Sequence, residues 1–210
     1  FTANSAINGS AIAAVEGIIK DVSFKDNHAE NAGAIYFVKS GYIINCNFTN
    51  NSATGVYGSG GAIRMVLGNV TNCNFTNNKG TGDGGSAGGA ISMRSGNVTN
   101  CNFTGNSAQF GGAIESYGFA NVIDCNFIGN NATEDGGAIY FTSNANIINC
   151  NFNGNKADMG SAIYFWHEKE SANMTISNST FLNNRANVDH KIPFYVTINE
   201  NSIEIIFIGN

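Results

Sequence analysis

One short motif recurs along the whole chain and constrains its fold more than any other feature. The pattern Phe-x-x-Asn begins at nine phenylalanines, from Phe1 to Phe207, at spacings of 23 to 29 residues. A second motif, a small residue followed by Ala-Ile, alternates strictly with the first. It ends at Ile12, Ile35, Ile63, Ile91, Ile114, Ile139 and Ile163, with a degenerate copy at Ile192. A repeat of this length predicts a solenoid, in which each unit buries its apolar side chains against its neighbours.

Periodicity within each repeat favours β-strands. Apolar residues stand two positions apart at the motif Phe and again after each Ala-Ile, as in the pair Ile139 and Phe141. This alternation is typical of strands, and no 3.6-residue period fits. Asn or Asp stands three residues before most motif phenylalanines, and Asn tolerates the left-handed backbone that a strand corner needs. The sequence therefore predicts an all-β parallel β-helix of about eight rungs, in one domain over residues 1–210.

Equivalent positions of successive rungs should stack about 4.8 Å apart. We therefore expect the asparagines three residues before and three residues after each motif Phe to form ladders along the rod. The position two residues before the Phe predicts one buried column of Cys46, Cys73, Cys101, Cys125 and Cys150. Their number is odd, and in-register parallel side chains do not favour the disulfide dihedral. Free thiols are therefore favoured over disulfides, and a metal stack without His or Cys-x-x-Cys spacing is disfavoured.

Composition narrows the classes of partner. Charged residues make up 12% of the chain, against about a quarter in ordinary soluble domains. The net charge of −5 includes no basic stripe, which argues against nucleic-acid binding. No apolar run of about 18 residues is present, so we expect no direct membrane insertion by this chain. The expected form is a monomer.

The abundance of Asn, Gly, Ser and Thr suits an exported protein. The 35 asparagines and 26 glycines leave a polar surface with few charges. The chain begins and ends within a repeat, so we expect a fragment of a longer protein whose export signal and anchor lie outside it. The expected location is the cell surface or the extracellular space.

The paired motifs resemble those of known surface proteins. Gly60-Gly61-Ala62-Ile63 with Phe75-Thr76-Asn77-Asn78 resembles the repeat of the chlamydial polymorphic outer membrane proteins, which are autotransported adhesins. The version with Asn149-Cys150-Asn151-Phe152 is also similar to adhesin-like surface proteins of methanogenic archaea. This resemblance covers essentially the whole chain. It implies a right-handed parallel β-helix of the pectin-lyase-like kind that is exposed on a cell surface and used for attachment.

Aromatic side chains recur at outward positions after the Ala-Ile motif. Rigid, amphipathic rings stack on sugars or anchor a protein partner. Shielding of the sheet, or packing under the connection between residues 163 and 181, explains the same rings equally well. The candidate binding residues are Tyr117, Tyr140, Tyr164, Trp166 and Tyr195, with Glu115 beside them.

Catalytic groups are harder to find. Glu115 is the only acid at the outward positions after Ala-Ile, so the paired carboxylates of a glycosidase are missing there. Glu134, Asp135 and Asp158 fall at turns of adjacent rungs and could hold Ca²⁺, although solvated surface acids are the favoured interpretation. We predict no catalytic residue, no metal and no cofactor. Longer connections at residues 54–59 and 79–87 should lie side by side, as plain protrusions rather than partner contacts.

The sequence thus predicts a cell-surface adhesin module. Such a β-helical rod would mediate or present attachment to surface glycans or proteins of other cells. A purely structural stalk without binding is one alternative, and a polysaccharide lyase or hydrolase is the other.

Overall fold

The described part of the chain is a stack of strands. A computed structural model describes residues 1–56, 58–82, 84–166 and 173–186. The regular secondary structure of these residues consists of strands without helices, wound into about seven turns. Strands of successive turns pair in parallel, as Phe48 pairs with Phe75 and Ile63 with Ile91. The all-β parallel β-helix predicted from the repeat is confirmed.

Each turn contributes to three sheets, which we name by their buried residues. The Phe sheet contains Ser23–Lys25, Asn47–Thr49, Asn74–Thr76, Asn102–Thr104, Asn126–Ile128, Asn151–Asn153 and Thr180–Leu182. The Ala sheet contains Ser5–Asn8, His28–Asn31, Ser52–Ala53, Lys79–Gly80, Ser107–Phe110, Asn131–Asp135, Lys156–Ala157 and Arg185–Ala186. The Ile sheet contains Ile12–Lys20, Ile35–Ile44, Ile63–Thr71, Ile91–Thr99, Ile114–Ser116, Ala120–Ile123, Ile139–Phe141, Ala145–Ile148, Ile163–Phe165 and Met174–Ser177.

The corners between sheets use left-handed residues, as the sequence predicts. Between the Ile and Phe sheets, Asp21, Asn45, Asn72, Asn100, Asp124, Asn149 and Asn178 all have φ between 48° and 59°. Between the Ala and Ile sheets, the first glycine of the Gly-Gly pair is left-handed, as at Gly60 and Gly136. A Cβ on the second glycine, for example Gly61, would overlap the carbonyl oxygen of the next turn. Glycine therefore suits both positions of this corner, although Ala32 takes the left-handed position in one turn and Ser10 and Ser161 take the second position in others.

Aligned apolar columns fill the interior. The rings of Phe24 to Phe152 in successive turns stack at 4.8 to 4.9 Å with interplanar angles of 3° to 4°. Columns of Ile, Val and Met or Phe from the Ile sheet pack against this stack. The near-zero angle between rings means that successive turns are laid down with almost no twist along this sheet.

A buried asparagine ladder runs beside the Phe stack. Asn27, Asn51, Asn78, Asn106, Asn130 and Asn155 are fully buried. Each side-chain amide donates to Oδ1 of the next turn, as from Asn51 to Asn78 at 2.9 Å. The second N–H donates to a Phe carbonyl of the preceding turn, as from Asn51 to Phe24 at 3.0 Å. The ladder predicted three residues after each Phe is confirmed, and so is an exposed one three residues before it, where Asn72 donates to Asn45.

The five cysteines form the expected internal column and are free. Each thiol donates to the carbonyl two residues earlier, as from Cys101 Sγ to Thr99 O at 3.2 Å. The Cys101 sulfur also accepts the backbone N–H of Cys73. Ser179 continues the column with the same two contacts, to Ser177 O and from Cys150 N. The column thus works as a row of small hydrogen-bonding side chains.

The two longer connections lie side by side, as predicted. The backbone N–H of Gly84 donates to the carbonyl of Val56 at 2.7 Å. Tyr57 and Asp83, one in each connection, lie outside the described residues. The last repeat, from Ile192 to Phe207, also lies outside them.

Candidate binding surface

The first outward column of the Ile sheet stands at an inner corner of the rod. Its members, in register from turn to turn, are Tyr36, Arg64, Ser92, Glu115, Tyr140 and Tyr164. The end of the Ala sheet closes over this column. Arg64 Nη1 donates to Asn31 Oδ1 at 3.5 Å, and the Phe110 ring lies 5.3 Å from the Tyr140 ring. This column is therefore recessed beside the Ala sheet rather than exposed on a flat face.

The two predicted tyrosines of this column are sheltered to different degrees. Tyr140 is half-buried, and Tyr164 is only 2% exposed. Their rings stack at 5.4 Å with an interplanar angle of 10°. Burial, helped by the negative charge of Asp135, raises the pKa of Tyr140 to about 12. Of the two rings, Tyr140 is the one that a ligand can reach.

Two carboxyl groups share the same corner. Glu115 is half-buried, its Oε2 accepts a hydrogen bond from Ser92 Oγ at 2.6 Å, and burial raises its pKa. Asp135 ends the strand Asn131–Asp135 and is 8% exposed, and its Oδ1 has no hydrogen-bond partner among the described residues. Burial and the charges of Glu134 and Asp158 raise the pKa of Asp135 to about 6. We call Phe110, Glu115, Asp135, Tyr140 and Tyr164 the corner cluster.

Sequence reasoning missed the place of Asp135 in this cluster. From the sequence, Asp135 was placed at a turn with Glu134 and Asp158, where a Ca²⁺ site was the less favoured interpretation. Among the described residues, no group of three His, Cys, Asp or Glu side chains is arranged to hold a metal ion. The sequence does contain a signal for the place of Asp135. Asp135 directly precedes the Gly136-Gly137 corner, and Phe110 holds the same position in the preceding repeat.

The second outward column stands three residues after the Ile of each Ala-Ile motif, and its described aromatic members are exposed. Tyr117 and Trp166 are 45% and 44% exposed, and Val15 and Val38 of the same column are at least half exposed. Tyr195, the fifth predicted ring, lies outside the described residues. The structure therefore divides the predicted site: Tyr117 and Trp166 are at the surface, and Tyr140, Tyr164 and Glu115 are in the corner cluster.

A shallow cleft of about 600 Å³ lies on the other half of the Ile sheet. Tyr42, Leu67 and Phe119 line it and are each about half exposed. Three asparagines one turn apart, Asn69, Asn97 and Asn121, line it as well. We call this groove the amide cleft. Its sequence signal is an Asn six residues before the motif Phe in three successive repeats.

The family comparison agrees with this architecture. A family model described as a right handed beta helix region matches residues 33–206. The chain belongs to this family. The handedness implied by the resemblance is confirmed with it. No curated protein and no solved structure gave a significant match to the chain.

In this right-handed β-helix, both candidate surfaces lie on the outward side of the Ile sheet. The corner cluster follows the Ala-Ile motif, and the amide cleft lies beyond the middle of the long strands Ile35–Ile44, Ile63–Thr71 and Ile91–Thr99. Among the described residues, no α-helix is long and apolar enough to span a bilayer. The resemblance to adhesins, the surface location and the partners remain predictions.

Proposed function

We propose that this β-helix is a rigid attachment module of a cell surface, an adhesin module that mediates or presents contact with surface glycans or proteins of other cells. One observation carries the proposal, namely the exposed apolar and aromatic side chains on the outward side of the Ile sheet. They include Val15, Val38, Tyr42, Leu67, Tyr117, Phe119 and Trp166.

These seven exposed side chains lie on one side of a single sheet. Large exposed apolar patches mark interaction sites, and Tyr and Trp are the most effective anchors at such sites. Neighbouring outward positions carry uncharged amides, such as Asn97 and Asn121. Such a surface suits contact with a polar, hydroxyl-rich or protein ligand better than contact with a polyanion.

The interior supports the role of a rigid spacer. The stacked Phe rings and the buried Asn ladder join each turn to the next with nearly identical geometry. Seven strands of the Phe sheet, about 4.8 Å apart, make a rod roughly 30 Å long. The low charge and the resemblance to adhesins favour a location at the cell surface.

Attachment can be tested with the purified protein. The wild type is applied to whole microbial cells and to a glycan array, beside Tyr117→Ala and Trp166→Ala. Ile128→Ala is the matched control, since Ile128 is also 45% exposed but lies on the Phe sheet. We expect loss of attachment in the first two variants and none in the control, with unchanged thermal unfolding. Absence of any attachment by the wild type would instead support the structural stalk.

A second candidate function is cleavage of a polysaccharide. The observation that favours it is the pair of Glu115 and Asp135 in the corner cluster, because a carboxyl group with a pKa of about 6 can act as a general acid. Incubation with pectins and plant-wall glycans, followed by measurement of reducing and unsaturated ends, tests this function. Release that Asp135→Asn abolishes would establish an enzyme, and absence of release would leave attachment.

A further inference from the structure

We infer that the amide cleft binds an uncharged polysaccharide whose chain runs along the rod axis, across successive turns. This inference rests on the proposed attachment function and names a ligand class and a site for it. It is carried by an amide row, three apolar side chains beside that row, and a lining without charge.

The amide row is ordered before any ligand arrives. Asn97 Nδ2 donates to Asn69 Oδ1 at 2.7 Å, and Asn121 Nδ2 donates to Asn97 Oδ1 at 2.7 Å. Each primary amide has two N–H donors and an oxygen with two lone pairs, so these bonds leave donors and acceptors unused. Asn97 is exposed, and Asn69 and Asn121 are half-buried. The cleft therefore offers fixed donors and acceptors at a spacing of about 4.8 Å, at little cost in side-chain entropy.

Sugar hydroxyls are the groups that suit such a row. A hydroxyl both donates and accepts, so a chain of sugar rings can use both kinds of position on consecutive amides. Tyr42, Leu67 and Phe119 provide apolar surface beside the amides, and they are 49%, 51% and 47% exposed. Aromatic and apolar surface of this kind covers the C–H face of a sugar ring, while the amides bind its edge.

The side chains that line the cleft determine whether a neutral or a charged ligand is favoured. The residues around the cleft are Ser, Tyr, Leu, Gly, Asn and Phe, without a charged side chain among them. A uronate or sulfated chain would therefore lose hydration without gaining a cationic partner in the lining itself. An uncharged chain does not incur this cost. The charge of the lining thus favours neutral polysaccharides over pectin-like acids.

The shape of the cleft favours a chain over a single sugar. Tyr42, Asn69, Asn97 and Asn121 are in register on four consecutive turns, which spans about 14 Å. Gly68 and Gly96 line the same stretch and leave its floor without side chains. An extended peptide is the other possible occupant, but the cleft lies on a sheet face. The strand N–H and C=O groups there pair within the sheet, so strand addition is not available.

Titration with defined oligosaccharides tests the inference. The probes are cellohexaose and mannohexaose as neutral chains, and hexagalacturonate as an acidic chain of equal length. Binding is measured by calorimetry for the wild type, Phe119→Ala and Asn97→Ala. The matched control is Asn102→Ala, because Asn102 belongs to an equivalent exposed amide ladder on the Phe sheet, donating to Asn74 at 2.9 Å. Thermal unfolding of each variant checks that it is folded.

We expect at least one neutral hexasaccharide to bind, with the Phe119 and Asn97 variants weakened about tenfold or more and the Asn102 variant unchanged. Equal or tighter binding of hexagalacturonate, unchanged binding in both cleft variants, or failure of both neutral chains to bind would overturn the inference. Whole-cell attachment distinguishes failure of the amide cleft as the binding site from failure of the proposed attachment function. Attachment that survives Phe119→Ala and Asn97→Ala overturns the cleft as the site and leaves the proposed function intact, whereas absence of attachment by the wild type removes both.

Discussion

Asn78 is bound twice by the same atom of Asn106. Oδ1 of Asn106 accepts the side-chain Nδ2 of Asn78 at 3.0 Å and its backbone N–H at 2.9 Å. Asn106 also donates to the carbonyl of Phe75 at 3.0 Å. Asn106 Nδ2 also donates to Oδ1 of Asn130 in the following turn at 3.0 Å, so this buried amide joins three consecutive turns.

Asn106→Ala should destabilise the protein strongly. The substitution removes hydrogen bonds from three groups, and each unpaired buried polar group costs about 1 to 3 kcal/mol. We expect a loss of at least about 3 kcal/mol in the free energy of unfolding, measured in urea. Asn102→Ala, in an exposed amide ladder, should cost less than about 1 kcal/mol. Equal losses in the two variants would show that the buried ladder does not hold the turns together.

Phe103→Ala should be among the most damaging single changes in the core. Its ring stacks on Phe75 at 4.8 Å and on Phe127 at 4.9 Å, and the rigid columns around it cannot close the gap. We expect a loss of about 3 to 5 kcal/mol. Phe119→Ala removes the same side chain from an exposed position and serves as the control. The urea midpoints of the two variants should differ widely, and similar midpoints would contradict the role of the stack.

The columns could be predicted because each position in the repeat has one fixed place in the cross-section. Once the repeat is aligned, Phe103 must stack on Phe75, and Cys101 must lie above Cys73. The left-handed corners at Asn72 and Asn100 follow in the same way, because Asn is suited to that conformation.

The candidate surfaces could not be predicted as well, because they depend on the angle between sheets. Tyr164 alternates as an outward residue and is nevertheless buried, with its ring stacked on Tyr140 at 5.4 Å. Asp135 belongs to the Ala sheet and reaches the corner cluster from there. The spacing of residues along one strand does not predict a contact between two sheets. The amide cleft lies near Gly68 and Gly96, where the alternation of the long strands is interrupted.

Two glycines should respond differently to replacement by alanine. A Cβ on Gly112 would overlap the carbonyl oxygen of Gly137, so Gly112→Ala should disrupt the corner and sharply reduce the yield of folded protein. Gly129 has φ of 62° with nothing within 4 Å of a Cβ, so Gly129→Ala should cost only about 1 to 2 kcal/mol. Gly129→Asn should recover part of this loss, because Asn tolerates the conformation. Thermal unfolding ranks the three, and a mild effect at Gly112 would be inconsistent with the described corner.

The five cysteine thiols should be unreactive towards thiol reagents in the native protein. All five cysteines are at most 2% exposed, so a water-soluble reagent cannot reach their sulfur atoms. The hydrogen bond to Cys125, together with burial, also raises the pKa of Cys150. We expect almost no reaction with a water-soluble thiol reagent before unfolding. Unfolding without a reductant should expose all five thiols. A count below five would point to a disulfide and against a column of free cysteines.

The stability of the protein should fall as the pH rises towards neutrality, in part because of Asp135. Its pKa is raised from 3.8 to about 6 in the folded protein, so the fold favours the protonated form. The stabilisation is therefore greatest below about pH 4 and is lost as the pH rises to about 6. Asp135→Asn should be more stable than the wild type at pH 7.5 and should lose that advantage at pH 4. Glu16→Gln, at an exposed site, should shift unfolding at neither pH, and a similar profile for Asp135→Asn would refute the assignment.

Parallel pairing between turns has a mechanical consequence. The backbone bonds between turns, such as that from Asn102 N to Cys73 O at 3.0 Å, are directed along the length of the rod. A pull on the two ends of the stack would open these bonds one turn at a time, starting from an end. A turn of 24 residues, such as that from Phe103 to Phe127, occupies about 5 Å when wound and roughly 80 Å when drawn out. A tether built this way would lengthen stepwise under load and dissipate the force before its point of attachment gives way.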